Sequence, residues 1–312
     1  IDRYYGDKVE IYHAVNGREA VAMCSTHNND IIIMDISMPE MNGVMAAKYI
    51  RRIDDKCSII FLSAYDDFEY ARNAIESGKH VLSEKPLAFT REESEKLYKL
   101  AKNNNIVLME AVKAAYCPGF QQLINVAKSG KIGDIIDVEA SFTRLADTSS
   151  RERTDSRYGG AFLEFGPSVL VPVIKLMGSE YSDVRYDSIY DESGVDIYTK
   201  ADIRYPHGFA TVKTGVGVKT EGQLVVSGTK GYIIAQSPWW LMKQFDVRYE
   251  DAAKIEHYEP RFLGDGLRYE ISDFVSKING TDKKDYKLTA GESILMSEFI
   301  ERFMNKRLNT GE

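Results

Sequence analysis

Two stretches of the sequence place an ionisable side chain at the end of an apolar run. The run DIIIMDI (30–36) contains Asp35, and HVLSEKP (80–86) contains Lys85, which Pro86 follows at once. If both runs are strands of an open α/β sheet, these side chains lie at the carboxyl edge, where such sheets bind their ligands. A carboxylate there can accept a phosphoryl group or hold a cation. The alternatives are that Asp35 caps the next helix and that Lys85 is a solvated lysine.

The cysteines and histidines of the sequence do not form a recognisable metal site. Cys24, Cys57 and Cys117 are far apart and odd in number, so they suit neither a disulfide framework nor a CxxC metal motif. The five histidines form no HExxH or HxH pair. We therefore predict that no metal is bound and that the protein lies in a reducing compartment.

The composition is that of an ordinary globular protein. Hydrophobic residues make up 44% and charged residues 28% of the 312-residue chain, a length typical of one or two domains. The net charge of −7, from 40 basic and 47 acidic residues, argues against nucleic acid as a partner. No apolar run reaches the ~18 residues of a membrane helix, and the start IDRYYGDKVE does not resemble a signal peptide. We expect a cytoplasmic protein with no membrane partner.

The first 115 residues alternate apolar runs with amphipathic helical patterns, which predicts βα units around a parallel sheet. The run at 30–36 is so apolar that we expect its strand to be covered on both faces. Asn16 with Glu19, and Thr90 with Glu93, have the spacing of helix capping boxes. The predicted strands are KVEIYHAV (8–15), DIIIMDI (30–36), SIIFLSA (58–64), HVLSEKP (80–86) and IVLMEA (106–111).

The pattern changes after residue 115. A predicted helix at 119–129 is followed by segments of alternating polarity, which indicate an antiparallel sheet with one covered face, and the tail is helical again. The predicted fold is therefore an α/β parallel-sheet domain of Rossmann or flavodoxin type (1–115), followed by an α+β domain with a large, mostly antiparallel open sheet (116–312).

Residues 8–78 resemble the receiver domain of response regulators, the CheY-like fold. The matching words are AVNGREAV, DIIIMDISMPEMNG and SIIFLSAYDDFEYARNAIESG. The resemblance implies that Asp35 is the phosphoacceptor and that Ser63 is the hydroxyl residue that reads out the phosphate. It also implies that Lys85, followed by Pro86, contacts the phosphoryl oxygens. The acidic pair that holds Mg²⁺ in that family has no match in the sequence.

From residue 78 to about residue 307 the sequence resembles the Gfo/Idh/MocA oxidoreductases, the relatives of glucose–fructose oxidoreductase and inositol dehydrogenase. The matching words are GKHVLSEKPLAFTREESEKLYKLAKNNNIVLMEA, GKIGDIIDVEASF, YGGAFLEFGPSVLVPVIKLMG and EGQLVVSGTKGYIIAQSPWW. The resemblance implies an NAD(P)-dependent enzyme that acts on a sugar, sugar-nucleotide or polyol hydroxyl. It also implies that the open sheet binds substrate and joins the subunits of a homo-oligomer.

The same resemblance assigns site residues. The family's E-K-P turn, here Glu84, Lys85 and Pro86, lies beside the nicotinamide, and its lysine orients the substrate hydroxyl. An ammonium group suits this place because it stabilises the alkoxide-like charge that develops as hydride leaves. The motif G-G-x-L-x-D-x-G-x-H aligns its aspartate with Glu164 and its histidine, commonly the proton acceptor, with Ser168. Serine is not a base near neutral pH without help, so this position departs from the family.

The cofactor cradle is the larger departure. A dinucleotide site uses G-x-G-x-x-G after its first strand, because the pyrophosphate approaches bare backbone at a helix N-terminus. The sequence has no such motif, and GVGVKTEG (215–222) has the wrong spacing. We therefore expect NAD(P) to be the family cofactor and its binding by this chain to be impaired.

Together, the two resemblances describe a chimera with its junction near Gly78, receiver-like over 1–78 and Gfo/Idh/MocA-like over 79–115 and beyond. The first hypothesis is an oxidoreductase by descent. The alternatives are a signalling module that is phosphorylated on Asp35 and an inactive oligomeric scaffold.

Overall fold

The computed structural model describes residues 10–35, 38–62, 67–264, 266–281 and 287–309. The chain divides into two compact units, Ile1–Asp67 and Phe68–Glu312, called here the first and the second unit. The boundary predicted at residue 115, between an α/β domain and an α+β domain, stays a prediction.

The first unit has two parallel strands with helices between them. Its elements are α1 (Gly17–Cys24), β1 (Ile31–Asp35), α2 (Gly43–Ile53) and β2 (Ser58–Leu62). Asn16 Oδ1 accepts the Glu19 amide at 2.9 Å, and a Glu19 carboxylate oxygen accepts the Val15 amide at 2.9 Å. The capping pair predicted from the spacing of Asn16 and Glu19 is therefore present. Ala20, Met34, Ala46, Ile50 and Cys57 form the core of this unit.

Two expectations for the first unit are wrong. The described part of KVEIYHAV, residues 10–15, is not a strand. A strand needs a neighbour to bond, and among the described residues of this unit β1 pairs only with β2. The strand β1 is also not covered on both faces, because Ile31 is 61% exposed and Ile33 is 52% exposed.

The second unit begins with further βα elements. They are α3 (Asp67–Glu76), β3 (Val81–Glu84), α4 (Arg91–Asn103), β4 (Leu108–Ala111), α5 (Lys113–Tyr116) and α6 (Pro118–Lys128). The strands β3 and β4 pair in parallel, with Val81 opposite Leu108. Thr90 Oγ1 accepts the Glu93 amide at 3.2 Å, so the predicted cap of α4 is confirmed. Gly78 has a φ of +72°, the left-handed conformation that suits the residue after a helix.

An eight-stranded sheet dominates the rest of the second unit. Its strands are β5 (Ile135–Thr143), β6 (Asp183–Tyr190), β7 (Asp196–Tyr205), β8 (Gly208–Gly215), β9 (Leu224–Gly228), β10 (Tyr232–Ala235), β11 (Phe245–Arg248) and β12 (Ile255–Tyr258). They lie in the order β12-β11-β10-β9-β5-β8-β7-β6. The β5–β8 pair is parallel and the other pairs are antiparallel. The predicted large, mostly antiparallel sheet is confirmed.

Helices cover one face of this sheet. The remaining elements are α7 (Arg151–Thr154), α8 (Ala161–Met177), a 3₁₀ turn (Trp239–Leu241), α9 (Leu267–Ile278) and α10 (Ala290–Asn309). The helix α8 packs on β5, β7 and β8, and α10 packs on α8 and α4. The rings of Phe162 and Tyr186 meet Phe303 of α10 in this core. Both tail helices predicted from the sequence are present.

Candidate functional site

The candidate site is built around the turn that follows β3. Lys85 comes directly after the last strand residue, Glu84, and its peptide bond to Pro86 is cis. The next amide, that of Leu87, donates to Glu110 Oε1 at 3.0 Å. Glu84 is exposed, Lys85 and Pro86 are half-buried, and Leu87 is buried. The turn is therefore held by buried groups while Lys85 remains accessible.

Lys85 contacts the first turns of α8. Its Nζ lies 3.4 Å from Glu164 Oε1 and donates to the Glu164 carbonyl oxygen at 2.5 Å. Arg151 reaches the other carboxylate oxygen of Glu164 at 3.6 Å. The side chains of Lys85 and Glu164 are 19% and 23% exposed, so this ion pair is partly shielded from water. The structure thus brings together two of the predicted site residues that are far apart in the sequence.

Ser168 follows Glu164 by one helical turn. Residues four apart share one face of a helix, and both side chains are half-buried while their neighbours on α8 are buried. A carboxylate and a hydroxyl therefore lie along the same partly open face. The carboxylate accepts hydrogen bonds and the hydroxyl both donates and accepts them, which suits a polyhydroxylated ligand.

The N-terminus of α8 is held by a residue that we did not predict. Gly160, with a φ of +111°, precedes the helix, and Asp196 Oδ2 accepts the Phe162 amide at 2.9 Å. A Cβ on Gly160 would lie 1.9 Å from Asp196 Oδ1, so only glycine fits here. Asp196 is fully buried, and burial raises the pKa of its carboxyl to about 6. No local signal in the sequence distinguishes it from an aspartate in an exposed turn.

The receiver-type residues are only partly described. Asp35 is the last residue of β1, as the sequence predicts, and it is exposed. Ser63 lies outside the described residues. Asp35 belongs to the first unit and Lys85 to the second.

Two described glycines of the first unit stand at helix N-termini, where a dinucleotide cradle would lie. Gly17 and Gly43 are the first residues of α1 and α2, where a bound pyrophosphate would need bare backbone. A Cβ on Gly17 would lie 2.3 Å from the Met41 carbonyl oxygen, and one on Gly43 would lie 2.3 Å from that of Asp35. A Cβ at either position therefore has no room, so the packing of the first unit itself requires glycine there. The spacing of Gly17 and Gly43 is also not that of the G-x-G-x-x-G motif.

In the described ranges no three His, Cys, Asp or Glu side chains are grouped as metal ligands would be. Nor does any helix within those ranges have the length and apolar character needed to cross a membrane.

Two protein families match the chain in sequence. Residues 5–94 match the response regulator receiver domain, and residues 120–234 match the GFO/IDH/MocA C-terminal domain. The receiver match runs past Lys85 and Pro86. Both predicted resemblances are therefore confirmed.

The similar curated proteins are oxidoreductases. The uncharacterised oxidoreductase YhhX of Escherichia coli is 31% identical over 187 residues, 58% of this chain and 53% of YhhX. The scyllo-inositol 2-dehydrogenase (NADP⁺) IolU of Bacillus subtilis is 26% identical over 233 residues, 72% of this chain and 69% of IolU. The chain thus spans about half the length of YhhX and two thirds of the length of IolU.

Solved structures share the fold. The crystal structure of the probable oxidoreductase YhhX has a TM-score of 0.66 at 23% identity, covering 89% of each chain. KijD10, a 3-ketoreductase from Actinomadura kijaniata solved with TDP-benzene and NADP in an open conformation, has a TM-score of 0.67 at 17% identity. That alignment covers 88% of this chain and 96% of KijD10.

Proposed function

Because the chain joins a receiver-type segment to a segment of Gfo/Idh/MocA type, we propose that it is an oxidoreductase of the latter kind by descent. It keeps the substrate end of the site, around Lys85 and Glu164, and binds NAD(P) weakly. Its substrate class is a sugar, a sugar nucleotide or another polyol, and the alcohol carbon of that substrate is the reacting centre.

The ion pair between Lys85 and Glu164 carries this proposal. It places a cation and a carboxylate side by side at the carboxyl end of β3, where both side chains are partly shielded from water. The ammonium group can donate to a substrate hydroxyl and stabilise negative charge on its oxygen, while Glu164 accepts from a neighbouring hydroxyl. Ser168, on the same helix face, can bind a third hydroxyl but cannot take its proton unaided. This chain's residues therefore favour binding and orientation over proton removal.

The proposal of weak cofactor binding is supported by the sequence, which lacks the G-x-G-x-x-G motif of a dinucleotide site. Bound NAD(P) would supply hydride transfer, and Glu84, Lys85 and Pro86 are the residues that would lie beside its nicotinamide.

The test is a binding measurement with two probes. Calorimetric titration with scyllo-inositol should show binding that Lys85→Ala weakens about tenfold or more, since a hydrogen bond from a charged group is lost. Lys128→Ala, which removes an exposed lysine at the end of α6, is the matched control and should bind as wild type. Equal affinity of wild type and Lys85→Ala would contradict the role of Lys85. Micromolar affinity for NADPH, followed by nucleotide fluorescence, would contradict the weak-cofactor part.

We further propose that the outer face of the eight-stranded sheet joins copies of the chain into a homo-oligomer. Phe209 of β8 is exposed there, and the Arg204 guanidinium lies 6.0 Å from the centre of its ring. A sheet face that exposes an aromatic ring among charges of both signs can pair with a copy of itself. Light scattering after gel filtration should show an oligomer that Phe209→Asp dissociates. A wild-type monomer at micromolar concentration would refute this.

The second candidate function is phosphotransfer, favoured by the receiver match and by the exposed Asp35 at the end of β1. Incubation with acetyl phosphate and Mg²⁺ should then add one phosphoryl group by intact mass, and Asp35→Asn should abolish the gain. No mass gain in the wild type argues against this function. If neither probe binds and Asp35 stays unmodified, the scaffold hypothesis remains.

A further inference from the structure

A buried carboxyl group lies directly behind the Lys85 turn. Glu110, in β4, is 1% exposed, and both of its carboxylate oxygens have partners. Oε1 accepts the Leu87 amide at 3.0 Å, and Oε2 accepts the hydroxyl of Ser293 in α10. The Glu110 carbonyl oxygen accepts the Tyr116 hydroxyl at 2.7 Å. The Glu110 side chain thus connects the Lys85 turn to α10.

The hydrogen bond between the Leu87 amide and Glu110 lies very close to Lys85 along the chain. Pro86 has no amide hydrogen, so the Leu87 amide is the first main-chain donor after Lys85. On the other side of Lys85, Glu84 is already held in the β3–β4 pair opposite Ala111. Leu87 is fully buried in the core next to α4. Removing the Glu110 contact would leave the Leu87 amide without its side-chain acceptor and loosen the turn at that point.

We propose that Glu110 is a positioning residue that sets the place of Lys85 by holding the Leu87 amide with one oxygen and Ser293 with the other. The proposal deepens the proposed function and rests on it only where Lys85 is said to serve a substrate. The positioning itself can be measured without any ligand. Because the second oxygen contacts α10, the position of the Lys85 turn depends on where α10 packs.

The groups around Glu110 also make the contact responsive to pH. Burial raises the pKa of the Glu110 carboxyl to about 7, the Ser293 and Leu87 hydrogen bonds and the Lys85 charge oppose that rise, and Glu84 adds to it. Tyr98 and Tyr116 also lie near this carboxyl, and burial raises the pKa of each. Since both tyrosines are neutral at physiological pH, Lys85 and Glu84 are the charges that act on Glu110.

The experiment compares Glu110→Gln with Glu110→Ala by hydrogen exchange of the Leu87 amide in the full chain. The glutamine retains an acceptor for Leu87 and a group for Ser293, so its exchange rate should stay within about twofold of wild type. In the alanine variant the Leu87 amide should exchange at least about tenfold faster, with smaller changes in α8 and β5. The rescue by glutamine separates positioning from a general loss of packing.

Two results would overturn the proposal. One is unchanged Leu87 protection in Glu110→Ala, and the other is a uniform acceleration of all second-unit amides with no excess at Leu87. If the alanine variant does not fold, Ser293→Ala serves instead, read by carboxyl NMR of Glu110. Loss of the serine hydrogen bond should shift the titration midpoint of Glu110 upward from wild type, and an unmoved midpoint would refute the contact.

Binding of scyllo-inositol is a second experiment, independent of hydrogen exchange at Leu87. Glu110→Ala should weaken scyllo-inositol binding as Lys85→Ala does, and Glu110→Gln should not. If wild type binds no polyol, the proposed function fails, yet the exchange result at Leu87 still decides the positioning role.

Discussion

The short sheet of the first unit and the eight-stranded sheet of the second unit differ in the side chains that their two faces carry. In the first unit, Ile32 and Met34 pack with residues of α1 and α2, whereas the described isoleucines on the opposite face of β1 and β2 are exposed. There Ile31, Ile33 and Ile60 are 61%, 52% and 49% exposed, and Ile33 lies directly opposite Ile60.

In the second unit the uncovered face of the sheet is mostly polar. Along β5 the side chain of Val138 is buried and that of Glu139 is exposed. Lys200 and Asp202, both on the outer side of β7, form an ion pair at 3.0 Å. The alternating sequence pattern therefore predicts which face is covered, whereas a run of isoleucines leaves the number of covered faces undetermined.

The largest predicted effect tests whether the two units are separately stabilised. Phe303→Ala removes a fully buried ring of α10 and should lower the free energy of unfolding of the second unit by about 3–5 kcal/mol. Both tryptophans, Trp239 and Trp240, lie in this unit, so their fluorescence during urea unfolding reports on it. Ile50→Ala, in the core of the first unit, should leave that fluorescence midpoint unchanged. A shift in Ile50→Ala would show that the units unfold together.

The second prediction concerns pH. The folded-state pKa values of Glu110 and Asp196 are raised by burial, to about 7 and about 6. A raised carboxyl pKa stabilises the fold at pH below 4, and this contribution is lost as pH rises through the folded value. Ionisation of each group should lower the free energy of unfolding of the second unit by about 3 kcal/mol between pH 4 and pH 8.

In Asp196→Asn, the loss of stability between pH 4 and pH 8 should be smaller by the contribution of Asp196. Urea unfolding at several pH values measures this loss. Asp187→Asn, at an exposed position of β6, is the control and should keep the wild-type slope. An unchanged slope in Asp196→Asn would mean that the Asp196 carboxyl titrates normally.

Loss of a helix cap should lower stability by the same amount in the two units, although the two sheets differ in how their faces are covered. Asn16→Ala in the first unit and Thr90→Ala in the second each remove a side-chain acceptor from a helix N-terminus. Each should cost about 1 kcal/mol of its own unit's stability. Thermal unfolding followed by circular dichroism measures both, and a cost confined to one unit would contradict the local origin of these caps.

The smallest effect is expected on the open face of the first unit. Ile33→Thr should change stability by no more than about 0.5 kcal/mol, because the side chain is already half in water. Ile32→Thr, on the covered face of the same strand, should cost more. A large loss in Ile33→Thr would show that the face is covered in solution, and the contrast between the two sheets would then disappear.

Local sequence determined the features that depend on neighbours three or four residues away. The caps at Asn16 and Thr90, the left-handed Gly78 and the shared helix face of Glu164 and Ser168 all follow from short-range hydrogen bonds and the helical repeat. The strand-end positions of Asp35 and Lys85 likewise follow from the apolar runs before them.

Tertiary structure alone decided which distant groups meet. Lys85 pairs with Glu164, 79 residues later, and Glu110 bonds to Ser293, 183 residues later. Asp196 supplies the cap that Gly160 lacks. The lack of a strand at the described residues 10–15 and the exposure of Ile31 and Ile33 of β1 have the same cause. Pairing and burial are properties of what packs against a segment, and a segment's own residues show only that it could pair or be buried.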